Sequence, residues 1–130
     1  AFRRVPVGFA AAHRAHQRLF YAMQVLGELP RLHYKVFEAI HQQRRLLISP
    51  SEVLEFMAAN GVSGERWQAA TQDARVERLA REAKELSDSF KLDGVPALAV
   101  AGRYYTSGAK AGDNLRALQV ARLLVDKVLR

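Results

Sequence analysis

The stretch GVPALAVAGRYY, residues 94–105, constrains the fold more than any other part of this sequence. Two short apolar runs flank Ala101-Gly102, a pair that suits a tight turn, so the stretch predicts a β-hairpin. Pro96 falls at the start of the first run, which is where a strand tolerates a residue that cannot donate to the ladder. Residues 10–90 follow helical spacing instead. The chain is therefore predicted to be mostly helical, with a small sheet built around this hairpin.

The helices are marked by apolar spacing and by residues that start or stop them. They are predicted at residues 10–26, 32–45, 50–59, after Ser63, at 74–90 and from Asp113 or Asn114 onward. The clearest start combines Ser49 as N-cap, Pro50 in the first turn and Glu52 in an S-x-x-E capping box. Pro30 is predicted to follow the first helix as a breaker. RRVPVGF, residues 3–9, predicts a further short strand.

Two helices carry an apolar stripe that is predicted to face the interior. In the second helix the stripe comprises Tyr34, Val36, Phe37 and Ile40. In the last helix it comprises Leu115, Leu118, Ala121, Leu124, Val125 and Val128.

Composition limits the classes of protein that this chain can belong to. The 130 residues fit one domain with room for an insertion, and the 49% hydrophobic content supports a real core. The net charge of +7 is spread along the chain, which favours a soluble basic surface over nucleic-acid recognition. No apolar run approaches the roughly 18 residues of a membrane span. AFRRVPVGF, at the start, lacks the features of a signal peptide.

The residues that could carry chemistry do not form a catalytic pattern. His13 and His16 share a helix face, but no acidic residue or cysteine nearby completes a metal site. His33 and His41 are interpreted as surface or cap residues. The sequence contains no nucleophile elbow, Walker loop or dinucleotide-binding glycine pattern. We therefore predict no catalytic residue, no metal site and no cofactor in this chain.

Four stretches together resemble the DsbA-like thiol:disulfide oxidoreductases of the thioredoxin superfamily. RRVPVGF resembles the strand that follows the family's active-site helix, and HRAHQRLFYAMQVLGEL resembles the helix that leads into an inserted helical domain. VFEAIHQQRRLLISPSEVLEFMAANGV resembles the middle of that domain, and GVPALAVAGRYYTSG resembles the family's cis-proline loop and closing hairpin. The resemblance covers essentially the whole chain, but only the later part of a complete family member.

The resemblance implies an α/β fold in which a thioredoxin-like half-domain carries an inserted all-helical domain. Residues 1–29 would hold a residual strand and a connecting helix, residues 30–88 the helical insertion, and residues 89–130 the closing hairpin and helix. As a fragment, the chain would be mostly helical.

The resemblance also assigns site residues. It implies that the Val95-Pro96 bond is cis, and that the backbone at Val95 hydrogen-bonds an extended substrate segment by strand addition. By position, the groove for substrate and partner would be lined by Gly94, Thr106, Ser107, Gly108, Leu115 and Leu118.

The family's thiol chemistry has no counterpart in this sequence. Family members carry Cys-x-x-Cys at a helix N-terminus, where the helix dipole lowers the thiol pKa. This chain contains no cysteine, so we predict a truncated form without exchange activity. The strand between RRVPVGF and the hairpin would also be absent. We therefore expect residues 30–88 to form the ordered core, and residues 1–9 to be frayed or paired elsewhere.

The functional prediction follows from the resemblance. The parent protein would introduce disulfide bonds into secreted proteins in the periplasm. Its partners would be unfolded or reduced polypeptides and a membrane quinone-linked reoxidase, with no nucleic acid and no cofactor. The fragment could self-associate through unpaired strand edges.

Two other functions are compatible with the sequence. One is a cysteine-free thioredoxin-like module that binds peptides or acts as a chaperone. The other is a basic helical regulator that contacts nucleic acid through Arg44-Arg45, which is disfavoured because no recognition helix is evident.

Overall fold

The computed structural model describes residues 1–92 and 94–130, which divide into two compact units, Ala1–Glu85 and Leu86–Arg130. The helices are α1 (Ala11–Leu26), α2 (Leu29–His41), α3 (Pro50–Ala59), α4 (Gly64–Thr71), α5 (Ala74–Ser89), α6 (Gly108–Ala111) and α7 (Asn114–Leu129). The strands are β1 (Ala97–Val100) and β2 (Tyr104–Ser107), which form an antiparallel pair. Among the described residues, no helix is both long enough and apolar enough to cross a membrane.

The first unit is built around one hydrophobic core. Its most deeply buried large side chains are Met23, Leu32, Leu47, Met57, Val62 and Val76. Trp67, the single tryptophan of the sequence, is also buried there, at 4% exposure. Each of these residues lies on the apolar side of an amphipathic helix or in a loop that closes against it, so burial of apolar surface holds the unit together.

The start of α3 has the predicted N-cap, with one change in its hydrogen bonding. Ser49 Oγ accepts the backbone N–H of Glu52 at 3.3 Å, and Pro50 occupies the first turn. In a capping box the Glu52 carboxylate would accept the N–H of Ser49 itself. Here it accepts the backbone N–H of Leu47 instead. The carboxylate therefore fixes the preceding loop as well as the helix start.

That preceding loop, residues 42–48, adopts an unusual backbone conformation. Arg44 and Leu47 have φ values of 55° and 49°, in the left-handed region that side chains other than glycine seldom occupy. The loop is held by the bond from Leu47 to Glu52 and by the His16 ring, whose Nε2 lies 2.8 Å from the carbonyl oxygen of Leu46. Burial of the Leu47 side chain, which is 1% exposed, offsets the backbone strain.

The second helix differs from its prediction at both its start and its inner face. Pro30 lies in the first turn of α2, where its missing N–H removes no helical hydrogen bond. The buried residues of α2 are Leu32, Val36 and Ala39. Tyr34 and Phe37 were predicted to face inward, but they are 71% and 50% exposed. The buried face begins at Leu32, so it is rotated around the helix relative to the predicted stripe. Apolar spacing within residues 34–40 alone does not reveal this rotation.

Residues 1–8 show no regular secondary structure, so the predicted strand RRVPVGF is absent. The described sheet contains β1 and β2 alone. A β-strand is defined by ladder hydrogen bonds to a neighbour, and an extended segment without such a neighbour forms none. The side chain of Gln17 instead donates to the carbonyl oxygen of Pro6 at 2.9 Å, which anchors the segment on α1.

The second unit packs α7 against the hairpin, with Ala117 as the helix residue that is fully buried. Four members of the predicted inner stripe are exposed instead: Leu115, Leu118, Val125 and Val128. A two-stranded sheet is narrower than the apolar surface of this helix, so it covers only part of that surface. The unpredicted short helix α6 occupies the connection between β2 and α7.

Candidate functional site

The segment 94–96 enters β1 beside the end of β2. The register pairs Ala97, the first residue of β1, with Ser107, the last residue of β2. The Val95–Pro96 peptide bond just before this pair is cis. The Val95 side chain is 62% exposed. The open end of the hairpin therefore carries an exposed residue, Val95, in a bent segment that leads into β1.

Two helix starts follow directly after β2. Ser107 Oγ accepts the backbone N–H of Lys110 at 3.3 Å and caps α6. The Asp113 carboxylate accepts the backbone N–H of Arg116 at 2.7 Å and caps α7. Serine and aspartate are favoured N-caps because their side-chain oxygens satisfy amide groups that the helix leaves unbonded. These caps turn the chain twice beside segment 94–96.

The two helix starts approach each other closely at Gly108. A Cβ atom at this position would lie 2.2 Å from Asn114 Oδ1 and 3.4 Å from the Asn114 backbone nitrogen. A side chain at position 108 would displace the Asn114 side chain, so glycine allows this close approach without that shift. Gly112, between the two helices, does have a positive φ of 107°. Together these glycines set the path of the α6–α7 connection.

The loop and the two helix starts enclose an open cavity of about 420 Å³. Its lining consists of Gly94, Val95, Pro96, Ser107, Gly108, Ala109, Gly112, Asp113 and Asn114. Small side chains dominate, so a ligand can approach the backbone. The polar groups are a hydroxyl, a carboxylate and an amide. With no thiol in the lining, the arrangement suits binding of a main chain better than covalent chemistry.

The structure brings together the two proline-loop residues and three of the six groove residues named from the sequence. Those that line the cavity are Gly94, Val95, Pro96, Ser107 and Gly108. Thr106 does not line it and is 4% exposed. Successive strand residues point to opposite faces, so Thr106 shares a face with Tyr104, whose ring lies 5.1 Å from Lys127 Nζ of α7. Leu115 and Leu118 also lie outside the lining, at 67% and 58% exposure.

Sequence reasoning did not assign four lining residues to the site: Ala109, Gly112, Asp113 and Asn114. Asp113 and Asn114 were identified only as the opening of the last helix. A signal was present in the sequence AKAGDN, where a glycine precedes two capping residues. That signal predicts a helix boundary. It does not predict that the boundary faces the proline loop, which depends on the strand register.

The shifted pKa values of the first unit have structural causes. A side-chain hydrogen bond from Arg75 lowers the pKa of Asp73 to about 2. A hydrogen bond from Arg18 lowers the pKa of Glu77, whose carboxylate lies 2.6 Å from Arg18 Nε. Burial lowers the pKa of His33, with a smaller contribution from the charge of Arg4. These are ion pairs and a packed ring rather than an acid–base pair in a cleft.

The histidines His16, His33 and His41 take part in packing contacts or a hydrogen bond. Among the described residues, no group of three histidine, aspartate or glutamate side chains is placed to hold a metal ion. His16 bonds to the loop at Leu46. The His33 ring lies 6.0 Å from the Phe20 ring and 4.9 Å from the Phe37 ring, centroid to centroid. His33 and His41 thus flank Phe37, since the His41 and Phe37 rings are 5.5 Å apart.

A second cavity, of about 400 Å³, lies within the helical unit between α1, α3 and α4. Its lining is mainly apolar and includes Leu19, Val53 and Trp67. The loop residues Leu47 and Ile48 also line it.

A helix packed on a hairpin that opens with a proline loop is the closing half of a thioredoxin-like domain. The family model "DSBA-like thioredoxin domain" matches residues 1–119. The chain therefore belongs to the DSBA-like thioredoxin domain family.

Individual relatives and solved structures agree with this assignment. The chain is 37% identical over 124 residues to the thiol:disulfide interchange protein DsbA of Bordetella pertussis, covering 95% of the chain and 59% of the relative. It is 32% identical over 127 residues to the protein of that name from Azotobacter vinelandii, covering 98% of the chain and 59% of the relative. The chain thus spans less than two thirds of the length of these relatives.

The backbone agrees equally well with experimental folds. The crystal structure of Pseudomonas aeruginosa DsbA superposes with a TM-score of 0.89 at 29% identity, covering 98% of this chain and 66% of that one. The structure of the oxidoreductase DsbA from Xylella fastidiosa gives a TM-score of 0.87 at 29% identity, covering 98% and 68%.

Proposed function

We propose that this chain provides the polypeptide-binding surface for thiol:disulfide interchange on secreted proteins in the periplasm. The observation that carries the proposal is the exposure of Val95, which lies just before β1 and lines a cavity with small lining residues. Membership of the DSBA-like family supports the class of substrate. The expected ligand is an unfolded or reduced polypeptide in an extended conformation.

Binding would use strand addition. An extended peptide would align with segment 94–96, and main-chain hydrogen bonds to the backbone of Val95 would supply sequence-independent affinity. One peptide side chain would enter the cavity lined by Ser107, Gly108 and Ala109. The cap residues Ser107 and Asp113 already accept backbone N–H groups, so they would shape this surface without performing chemistry.

Filling the cavity should remove this binding. Ala109 is exposed and lines the cavity, so Ala109→Trp would place an indole where the peptide side chain is expected. We expect a loss of at least about tenfold in affinity, equivalent to about 1.4 kcal/mol. The measurement is fluorescence anisotropy of a labelled, extended, cysteine-free peptide titrated with the 130-residue chain.

Ala69→Trp is the matched control, because Ala69 is an exposed alanine on α4 in the other unit. It should leave the peptide affinity unchanged. Equal affinity for the two variants and the unsubstituted chain would overturn the proposed site. Loss of affinity in both variants would show that added indole, rather than cavity filling, weakens binding.

The chain itself should not exchange disulfides. With no cysteine in its 130 residues it has no thiolate to attack a disulfide, so the interchange requires thiols from outside these residues. We expect the chain to leave the rate of insulin reduction by dithiothreitol unchanged at every protein concentration. A rate that rises in proportion to the chain concentration would contradict this expectation.

Two further features complete the proposal. The second class of partner is the membrane reoxidase that re-forms the catalytic disulfide. It would contact the same cavity beside segment 94–96. A second candidate function is that of a peptide-binding or chaperone module, which would use the same cavity. Both functions need the same cavity. They differ in whether polypeptide binding is followed by disulfide exchange with thiols from outside these residues.

A further inference from the structure

The exposed side of α2 carries a cluster of aromatic rings centred on His33. The His33 ring lies 4.9 Å from the Phe37 ring and 5.2 Å from the Tyr34 ring of the same helix, measured between centroids. It lies 6.0 Å from the Phe20 ring of α1. Tyr34 is 71% exposed and Phe37 is 50% exposed, whereas His33 is half-buried. The cluster therefore surrounds a titratable side chain that has only partial access to water.

Segment 1–8 reaches this cluster through Arg4. The Arg4 guanidinium donates a hydrogen bond from Nη2 to the Tyr34 hydroxyl oxygen at 3.4 Å. Farther along the segment, the Gln17 side chain of α1 donates to the carbonyl oxygen of Pro6 at 2.9 Å. The first bond is longer than the usual range for N–H···O bonds, and the second lies within it. The contact with the aromatic cluster is therefore the weaker attachment of the segment.

The groups in contact with His33, in the part of the chain that the structure describes, include no carboxylate. The neighbours on the two helices are rings: Phe20 on α1, and on α2 Tyr34, Phe37 and, beyond Phe37, His41. The charged group near His33 is Arg4, whose guanidinium stays protonated in proteins. Burial lowers the pKa of His33, and the charge of Arg4 lowers it further. A positive charge on His33 would thus be repelled and not compensated.

We propose that His33 is a pH-sensitive switch that controls the attachment of residues 1–5 to α2. The neutral ring packs among the aromatic rings and leaves Arg4 beside Tyr34. The protonated ring is a half-buried cation next to a second cation, and both burial and like charge oppose that arrangement. Arg4 is the group that moves, because it is exposed and its hydrogen bond is long. The bond from Gln17 to Pro6 keeps the rest of the segment on α1.

The direction of the switch follows from the lowered pKa of His33. With the residues attached, this pKa lies below its ordinary value of 6.5, and release brings it back toward that value. Protons therefore bind the released state more tightly than the attached state. Attachment is complete well above pH 6.5 and weakens as the pH falls below it.

The backbone {1H}–15N NOE of residues 3–5 tests this switch, since it reports mobility on the ps–ns timescale. We expect the NOE to fall between about pH 7 and about pH 5, the range in which histidine titrates. The midpoint should coincide with the titration of the His33 ring and lie below 6.5. Circular dichroism of the same samples verifies that the helices remain folded.

Three variants separate His33 from the other groups of the cluster. His33→Phe keeps a ring but cannot be protonated, so the change in NOE should fall to less than about a third of its original size. Arg4→Gln leaves the packed rings untouched and should raise the pKa of His33, because it removes the neighbouring positive charge. His41→Phe is the matched control, because His41 is an exposed histidine of the same cluster, and it should leave the pH response unchanged.

Two results would overturn the proposal. One is an NOE that stays constant between about pH 7 and about pH 5, or that falls equally in the unsubstituted chain and in His33→Phe. The other is a pKa of His33 above 6.5, which would show that cation–π attraction to the surrounding rings outweighs burial and the charge of Arg4. Neither result bears on the cavity beside segment 94–96, so the proposed function is tested separately.

Discussion

Leu32→Ala is expected to lower the free energy of unfolding of the helical unit by about 2–5 kcal/mol. The Leu32 side chain has no exposed surface and lies in the core shared by α1 to α5. Its truncation removes buried methyl groups and leaves a cavity that the surrounding helices fill only partly. Urea denaturation followed by the fluorescence of Trp67 measures this loss, since the single tryptophan lies in the same core.

Leu46→Ala provides the matched comparison. Leu46 belongs to the same unit but is 70% exposed, so the same truncation should change the free energy of unfolding by less than about 0.5 kcal/mol. Similar losses for the two variants would show that Leu32 is not at the centre of the core.

Glu52→Ala is expected to lower the free energy of unfolding by about 1–3 kcal/mol. The reason is that the backbone N–H of Leu47 loses its acceptor while remaining partly buried. The ion pair of Glu52 with Arg45, at 3.8 Å and partly exposed, should add little. The loop that carries Arg44 and Leu47 at positive φ would be released. Hydrogen exchange of the Leu47 amide, together with urea denaturation, measures the effect.

Glu55→Ala is the control for that variant. Glu55 lies exposed on the same helix, so its loss should shift the unfolding midpoint little and leave exchange of the Leu47 amide unchanged. If the Leu47 amide exchanged equally fast in both variants, the Glu52 carboxylate would not be what holds the loop.

Local signals predicted the helices well where capping residues and apolar spacing agree. Ser49, Pro50 and the exit at Gly61 defined α3 without ambiguity, and Gly27 ended α1 with a φ of 79°. These features succeed because their physics involves residues within one or two turns. The short helix α6 was missed because its four residues carry no apolar stripe.

The buried face of each helix and the formation of a strand depend on long-range packing, which local sequence patterns do not reveal. The faces of α2 and α7 have more apolar residues than their neighbours cover, so periodicity identified a stripe without saying which part is buried. Phe37 on α2 and Leu118 on α7 are exposed for this reason. The segment RRVPVGF has strand composition, but it forms no strand because strand formation depends on a neighbour.

The candidate site likewise combines features that the sequence predicts with features that it does not predict. The proline loop and the hairpin were located from sequence, with their roles implied by the family resemblance. The close approach of Gly108 to Asn114 could not be predicted from the sequence, because residues from separate helix starts meet there. The alternation of β2 explains why Ser107 lines the cavity while Thr106 is buried on the opposite face.

Backbone amide NMR during titration with an extended, cysteine-free peptide tests the central claim most directly. The account predicts chemical-shift changes concentrated at Gly94, Val95, Ser107, Gly108 and Ala109, with the helical unit unaffected. Changes confined to the cavity between α1, α3 and α4, or no change at saturating peptide, would contradict the proposal that segment 94–96 and its cavity hold polypeptide substrate.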